Sequence, residues 1–182
     1  MVVHPRKGYV VAPVTLRDVR EVCGLRLIVE PAAVALAAGR LDSACTATLE
    51  QWCHVGYDVT DPRSVRTFHR ANRAFHTTIA EACGNQRLAA LVSHLLLESH
   101  RIIQFGMLRM PNSKEAVRGH EALLGALRRG DATAARRLVA KEIRNTRRMV
   151  IDSLHRDVRD HGPAPASGSG GRPERRPARR TG

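Results

Sequence analysis

Apolar side chains recur every three or four residues from about residue 15 to residue 155. This spacing puts them on one face of an α-helix, and capping residues, glycine and proline divide the pattern into six segments. The predicted helices begin after Thr15, Asp42 or Ser43, Asp61, about residue 86, Ser113 and Asp131. The sequence therefore predicts an all-α protein, an antiparallel bundle of about six helices joined by short loops.

Several of these boundaries carry specific signals. Thr15 is followed three residues later by Asp18, a shortened capping box, and Asp61 precedes Pro62, which is favoured at the first helical position. Pro31 lies inside the first segment, where it predicts either a kink or a break.

The first 14 residues follow a different pattern. Residues 2–4 and 9–12 are short β-prone runs on either side of a turn signal at residues 5–8. Two such runs around a loop with a glycine predict a β-hairpin. Because an isolated hairpin is marginally stable in water, this segment resembles the end of a larger unit.

The amino-acid composition excludes several classes of function. The 182 residues are enough for one domain with a core, and 3% aromatic content argues against a surface that stacks single-stranded bases. No stretch approaches 18 uncharged apolar residues and the N-terminus has no apolar signal core, so we expect neither a membrane partner nor secretion.

The chain is strongly basic, with 30 Lys+Arg against 17 Asp+Glu. Residues 159–182 are rich in Arg, Pro and Gly and lack apolar periodicity, which predicts a disordered tail. This tail either attracts nucleic acid without sequence preference or is simply solvated.

The cysteines, Cys23, Cys45, Cys53 and Cys83, have no Cys-x-x-Cys spacing. We predict mostly buried, reduced thiols in a cytoplasmic protein, and no zinc site built on cysteine.

Polar residues occur where a bundle would have its core. His69, Asn72 and His76 lie at i, i+3 and i+7 on the third helix, while His120 and Glu142 lie midway along the fifth and sixth. Imidazole nitrogens and side-chain oxygens can together bind a divalent ion inside a bundle. The spacing alone equally fits hydrogen-bonded or exposed histidines.

Enzyme signatures were not found. The chain has no nucleophile elbow, no phosphate-binding glycine loop outside the predicted tail, and no glutamate followed three residues later by histidine. His94 and His100 do not share a helix face, so we do not expect them to be ligands. We predict that the protein is not an enzyme.

Four motifs, in order, resemble the effector domain of GntR-family transcription regulators of the FadR subgroup, an FCD domain. They are LRLIVEPAA at 25–33, NRAFH at 72–76, AEACGN at 80–85 and GHEALLGALRRGD at 119–131. The resemblance covers about residues 15–155 and implies an effector-binding domain over 15–158.

The N-terminal segment resembles part of a second family element. PRKGYVVA at 5–12 is similar to the wing and last strand of the family's winged helix-turn-helix. The resemblance makes residues 1–14 a wing remnant whose Arg6, Lys7 and Gly8 would contact operator DNA. The family's recognition helix is not in this sequence, and we expect a misplaced start rather than an effector-only protein.

The resemblance also implies a metal site. The family motif has an aspartate, a histidine four residues on, and two histidines about 22 residues apart on the last two helices. These positions fall on Asn72, His76, His120 and Glu142, so the chain departs from the motif twice. The set keeps two nitrogens, two oxygens and one negative charge, so we expect a divalent ion such as zinc to bind more weakly or with a different selectivity than in the family motif. His69 is a substitute ligand on the same stripe.

Arg26 matches an arginine that points into the family's effector cavity. It would bind the carboxylate of an effector, with His69 nearby, or it would pair with Glu30 one turn on. The resemblance implies a homodimeric regulator that senses a small organic acid. The alternatives are a metal- or metabolite-binding helical module without DNA-binding activity and a catalytic metal bundle.

Overall fold

Six α-helices make up most of the described part of the chain, as the sequence predicts. A computed structural model describes residues 2–4, 8–10, 13–107 and 113–160. The helices are α1 (Leu16–Ala37), α2 (Ser43–Cys53), α3 (Pro62–Glu81), α4 (Gln86–Met107), α5 (Lys114–Arg128) and α6 (Ala132–Asp160).

Capping side chains fix where the first two helices begin. Thr15 and Asp18 form a reciprocal capping box at α1, which satisfies backbone donors that have no partner within the helix. At α2 the cap is Asp42 rather than Ser43, and its Oδ1 accepts a hydrogen bond from the backbone N–H of Cys45 at 2.7 Å.

The structure decides two predictions about local helix geometry, one at Ser113 and one at Pro31. Ser113 was expected to cap α5, but this is wrong, because its backbone is already helical and its side chain makes no cap hydrogen bond. Pro31 does not break α1, which continues through it to Ala37. Glu30 and Ala33, on either side of Pro31, are buried. Packing therefore keeps the helix continuous although proline has no backbone N–H to donate.

The helix α1 is central to the bundle. It packs against α3, α4, α5 and α6, while α2 covers the other side of α3 and α5. The main apolar core fills this centre, and its largest fully buried members include Phe75, Leu49, Ile79 and Leu123. A smaller apolar cluster of Val65, Phe68 and Met107 lies beside Tyr57.

The connections α1–α2 and α5–α6 meet at one end of the bundle. Gly39 and Gly130 have φ of 74° and 69°, which favours glycine. The N–H of Gly39 donates to the carbonyl of Leu127 at 3.0 Å. This contact ties the end of α1 to the end of α5, and so fixes the two helices that carry site residues.

Some predictions lie outside the described residues or stay untested. The backbones of β1 (Val2–His4) and β2 (Gly8–Val10) pair antiparallel, but Arg6, Lys7 and the tail at 161–182 are not described. The wing interpretation and the domain boundaries at 14 and 158 remain predictions. All four cysteines are free, and three of them are buried.

Within the described part of the chain, no helix is both long enough and apolar enough to cross a membrane.

Candidate metal and effector site

Four helices bring polar side chains together inside the bundle. The helix α1 supplies Arg26 and Glu30, α3 supplies His76, α5 supplies His120, and α6 supplies Glu142. All but Glu142 are almost fully buried. Such a concentration of ionisable groups is costly in a core unless they are paired or bind an ion.

His76, His120 and Glu142 form the centre of this site. Each offers a ligand atom, and the three atoms lie within 4.8 Å of one another. Nε2 of His76 lies 2.9 Å from Oε1 of Glu142, a hydrogen bond, while Nε2 of His120 lies 3.7 Å from the same oxygen. The structure thus brings together three of the four residues predicted as metal ligands.

Among the described residues, His120 has no hydrogen-bond partner. Both of its ring nitrogens are buried and unpaired among the described residues, although such groups normally find partners. Its ring stacks on Phe75 with 4.4 Å between centroids and 28° between planes. Phe75 therefore holds the imidazole in place, and an ion at the centre would satisfy one of its nitrogens.

The site has one negative charge more than its permanent positive charge. Arg26 and Glu30 neutralise each other, which leaves Glu142 facing two histidines. Burial by itself lowers the pKa of His76, but the charge and hydrogen bond of Glu142 and the charge of Glu30 raise it overall. Burial would raise the pKa of Glu142, yet the neighbouring histidines hold it well below its usual range. A proton on His76 or a cation can balance this carboxylate.

Glu30 connects the arginine to the metal-ligand candidates. Its carboxylate accepts hydrogen bonds from Nε and Nη2 of Arg26. Its Oε2 lies 3.7 Å from Nδ1 of His76. A carboxylate on the far nitrogen of a ligand histidine orients the ring and fixes its tautomer. Sequence reasoning treated Glu30 only as the partner of Arg26 and missed this second contact.

A cavity of about 410 Å³ opens beside the site. Arg26, Asn72 and Glu142 lie on its wall. Asn72 therefore faces the same space as Glu142, one helical turn before His76. Elsewhere the wall combines apolar, basic and acidic side chains. Sequence reasoning identified none of these: Tyr57, Phe68, Met107, Arg118, Lys141, Arg148, Glu115 and Asp152.

His69 lies apart from the cluster. Its ring packs against His100 with 4.4 Å between centroids, and His69 is neither in the three-residue group nor on the cavity wall. Burial, together with the charge of His100, lowers the pKa of His69 to about 4. The prediction of His69 as a substitute ligand or effector contact is therefore not supported by its position.

The site geometry can now be compared with known proteins. Residues 21–145 match the FCD domain family. The chain belongs to this family. No curated protein matches the sequence.

Two solved structures share the fold of this FCD protein. A GntR protein of Streptococcus agalactiae has 22% identity and a TM-score of 0.57, over 72% of this chain and 58% of its own. A GntR-family transcriptional regulator of Pseudomonas syringae pv. tomato str. DC3000 has 23% identity and a TM-score of 0.66, over 90% and 67%. The chain thus spans about three fifths to two thirds of these proteins.

The residues of this FCD domain fit a divalent ion. His76, His120 and Glu142 would hold it, and the unpaired nitrogens of His120 are the structural observation in favour. When bound, the ion would supply positive charge and open positions for an oxygen ligand.

Proposed function

We propose that this chain is the effector-binding part of a ligand-responsive transcription regulator that senses a small organic acid through a divalent metal ion. The observation that carries the proposal is the meeting of His76, His120 and Glu142 with Arg26 at one cavity. The match to the FCD family and the likeness to a GntR-family transcriptional regulator support this proposal.

Charge favours an acid as the ligand. With Arg26 and Glu30 paired and Glu142 at the centre, a divalent ion changes the site from one net negative charge to one net positive charge. A carboxylate neutralises that excess. The guanidinium of Arg26, which reaches the cavity wall, would donate a charge-assisted hydrogen bond to it.

The cavity wall indicates the rest of the ligand. Phe68 and Met107 provide an apolar surface. Arg118, Lys141 and Arg148 provide positive charge, which exceeds the negative charge of Glu115 and Asp152 on the same wall. A compact acid with an apolar portion or a second anionic group would match this lining.

Ligand-induced stabilisation tests the proposal. Zinc-loaded protein is compared with chelator-treated protein in a thermal-shift titration against carboxylic acids and their matched primary amides. We expect at least one acid to raise the Tm of the zinc-loaded protein by several degrees, consistent with about 2–3 kcal/mol of binding linkage. Amides that stabilise as well as their acids, or no acid response in either state, would contradict the proposal.

We further propose that a second copy of the chain pairs through α1 and α4. Within the described part of the chain, the five most exposed large apolar residues all lie on these two adjacent helices: Leu25, Ile28, Leu36, Leu91 and Leu97. Exposed apolar surface of this kind marks interaction sites, and GntR-family regulators form dimers. We name these five residues the α1–α4 apolar face.

Solution mass tests the pairing. We expect the wild type to have twice the 20.0 kDa chain mass by light scattering, and Ile28→Asp, at the 69% exposed position of this face, to be monomeric. Thr133→Asp, on the exposed side of α6, serves as the control and keeps the dimer. A monomeric wild type, or a dimeric Ile28→Asp variant, contradicts the α1–α4 apolar face as the interface.

A further inference from the structure

The outer face of α3 carries a row of four arginines. Arg63, Arg66, Arg70 and Arg73 lie at i, i+3, i+7 and i+10, and all four are exposed. This spacing puts them on one side of the helix, over about 15 Å of its axis. We call them the α3 arginine row.

The α3 arginine row is not neutralised by carboxylates. Among the described residues, no carboxylate oxygen lies within 4.0 Å of these four guanidinium groups, whereas Arg17, Arg26 and Arg128 each pair with a glutamate. The helix α3 itself has no acidic residue before its last position. The positive potential along this face is therefore open to an external anion.

A groove lies between α3 and α4 at one end of the row. It has a volume of about 320 Å³ and is lined by Arg70, Arg73, Ala74, Thr77 and Ser93. Two guanidinium groups and two hydroxyls give it an excess of hydrogen-bond donors, which suits a phosphate group. Glu98, the acidic residue of α4, is within 3.4 Å of His94 and does not line the groove.

We propose that this groove binds a phosphate of the DNA backbone, and that Arg63 and Arg66 contact neighbouring phosphates of the same duplex. A single small anion would need only the groove. The row extends beyond it, so a ligand with repeated phosphates fits the whole surface better. Such contacts position a protein on the duplex without reading its sequence.

The chemistry of the chain points to duplex DNA as the partner. Its formal charge is +13, which favours polyanions, and base-stacking aromatic residues are absent from the groove lining. This groove shares no lining residue with the effector cavity. The proposed DNA contact of α3 can therefore be tested independently of the proposed effector site and of the predicted wing contacts.

Salt-dependent DNA binding by the full chain tests the inference. The probe is a labelled 20-base-pair duplex of random sequence, followed by fluorescence anisotropy at several NaCl concentrations. Arg70→Gln/Arg73→Gln is compared with Arg136→Gln/Arg137→Gln, which removes the same charge from exposed positions on α6. Both variants keep the basic tail, so the tail does not contribute to the difference.

We expect the α3 variant to bind about tenfold more weakly and to lower the salt slope by about 2, since each phosphate contact contributes about 0.9. The α6 variant should change affinity less than about threefold. Equal losses in both variants would mean that only net charge matters and would overturn the inference. Loss of binding to phosphatidylserine vesicles with unchanged DNA binding would also overturn it, in favour of a membrane surface.

Discussion

Replacing His120 with leucine is expected to lower the zinc affinity of the protein by at least about 100-fold, more than the usual effect of altering a residue behind the ligands. Its ring supplies one of three donor atoms within 4.8 Å, and no remaining residue of that group replaces it. Competition with a chromophoric zinc chelator measures the change. His94→Leu, at an exposed histidine on α4, is the control and should keep wild-type affinity.

The apo form of the His120→Leu variant separates metal loss from misfolding. In the metal-free wild type, the two buried ring nitrogens of His120 have no partner among the residues that the structure describes, and each such group costs about 1–3 kcal/mol. Leucine removes both while still packing on Phe75. We therefore expect the apo variant to be at least as stable as the apo wild type in urea, although zinc no longer stabilises it. A variant that binds zinc normally removes His120 from the ligand set.

The zinc affinity of the wild type should also depend on pH. The pKa of His76 is raised above 6.5 by Glu142 and Glu30 against the effect of burial. In the apo protein the protonated pair with Glu142 stabilises the fold below the unfolded pKa, and this stabilisation is lost as the pH rises through the folded pKa. Zinc must displace that proton, so its affinity should rise over the same pH interval.

The sequence predicted the helices well because their signals are local. The capping box at Thr15 and the aspartate caps act within one turn, and so they work in any context. The prediction that Ser113 caps α5 is wrong because a capping serine has an extended backbone, whereas Ser113 has helical angles. The identity of the residue alone does not determine these backbone angles.

The site residues were predictable to different degrees. Asn72 and His76 are one turn apart, which spacing can show. His120 and Glu142 lie on two other helices, so the sequence could mark them as core polar residues, and only the family resemblance joined them into one ligand set. His69 shares a stripe with His76 but lies two turns away, about 10 Å along the axis, whereas a ligand atom lies about 2 Å from its ion. A shared stripe gives the direction of a side chain and not its distance, so the role of His69 stays a prediction.

Substituting leucine for Arg26 is expected to destabilise the protein by about 3–5 kcal/mol, because it leaves the carboxylate of Glu30 buried without its cation. Both side chains are 2% exposed. Urea unfolding measures the change. Arg17→Leu is a matched control, since Arg17 and Glu21 form the same i,i+4 pair on α1 at 83% and 61% exposure, and its loss should leave the free energy of unfolding nearly unchanged.

The double variant Arg26→Leu/Glu30→Leu distinguishes the structural role of Arg26 from its proposed ligand role. Replacing a whole buried ion pair with apolar residues is often neutral or stabilising, so we expect the double variant to recover most of the loss. Additive losses from the two single changes would show that the pair is not coupled. If the double variant folds and holds zinc but no longer responds to acids, Arg26 binds the effector carboxylate. If acids still stabilise it as in the wild type, the guanidinium serves only Glu30, and the metal alone recognises the ligand.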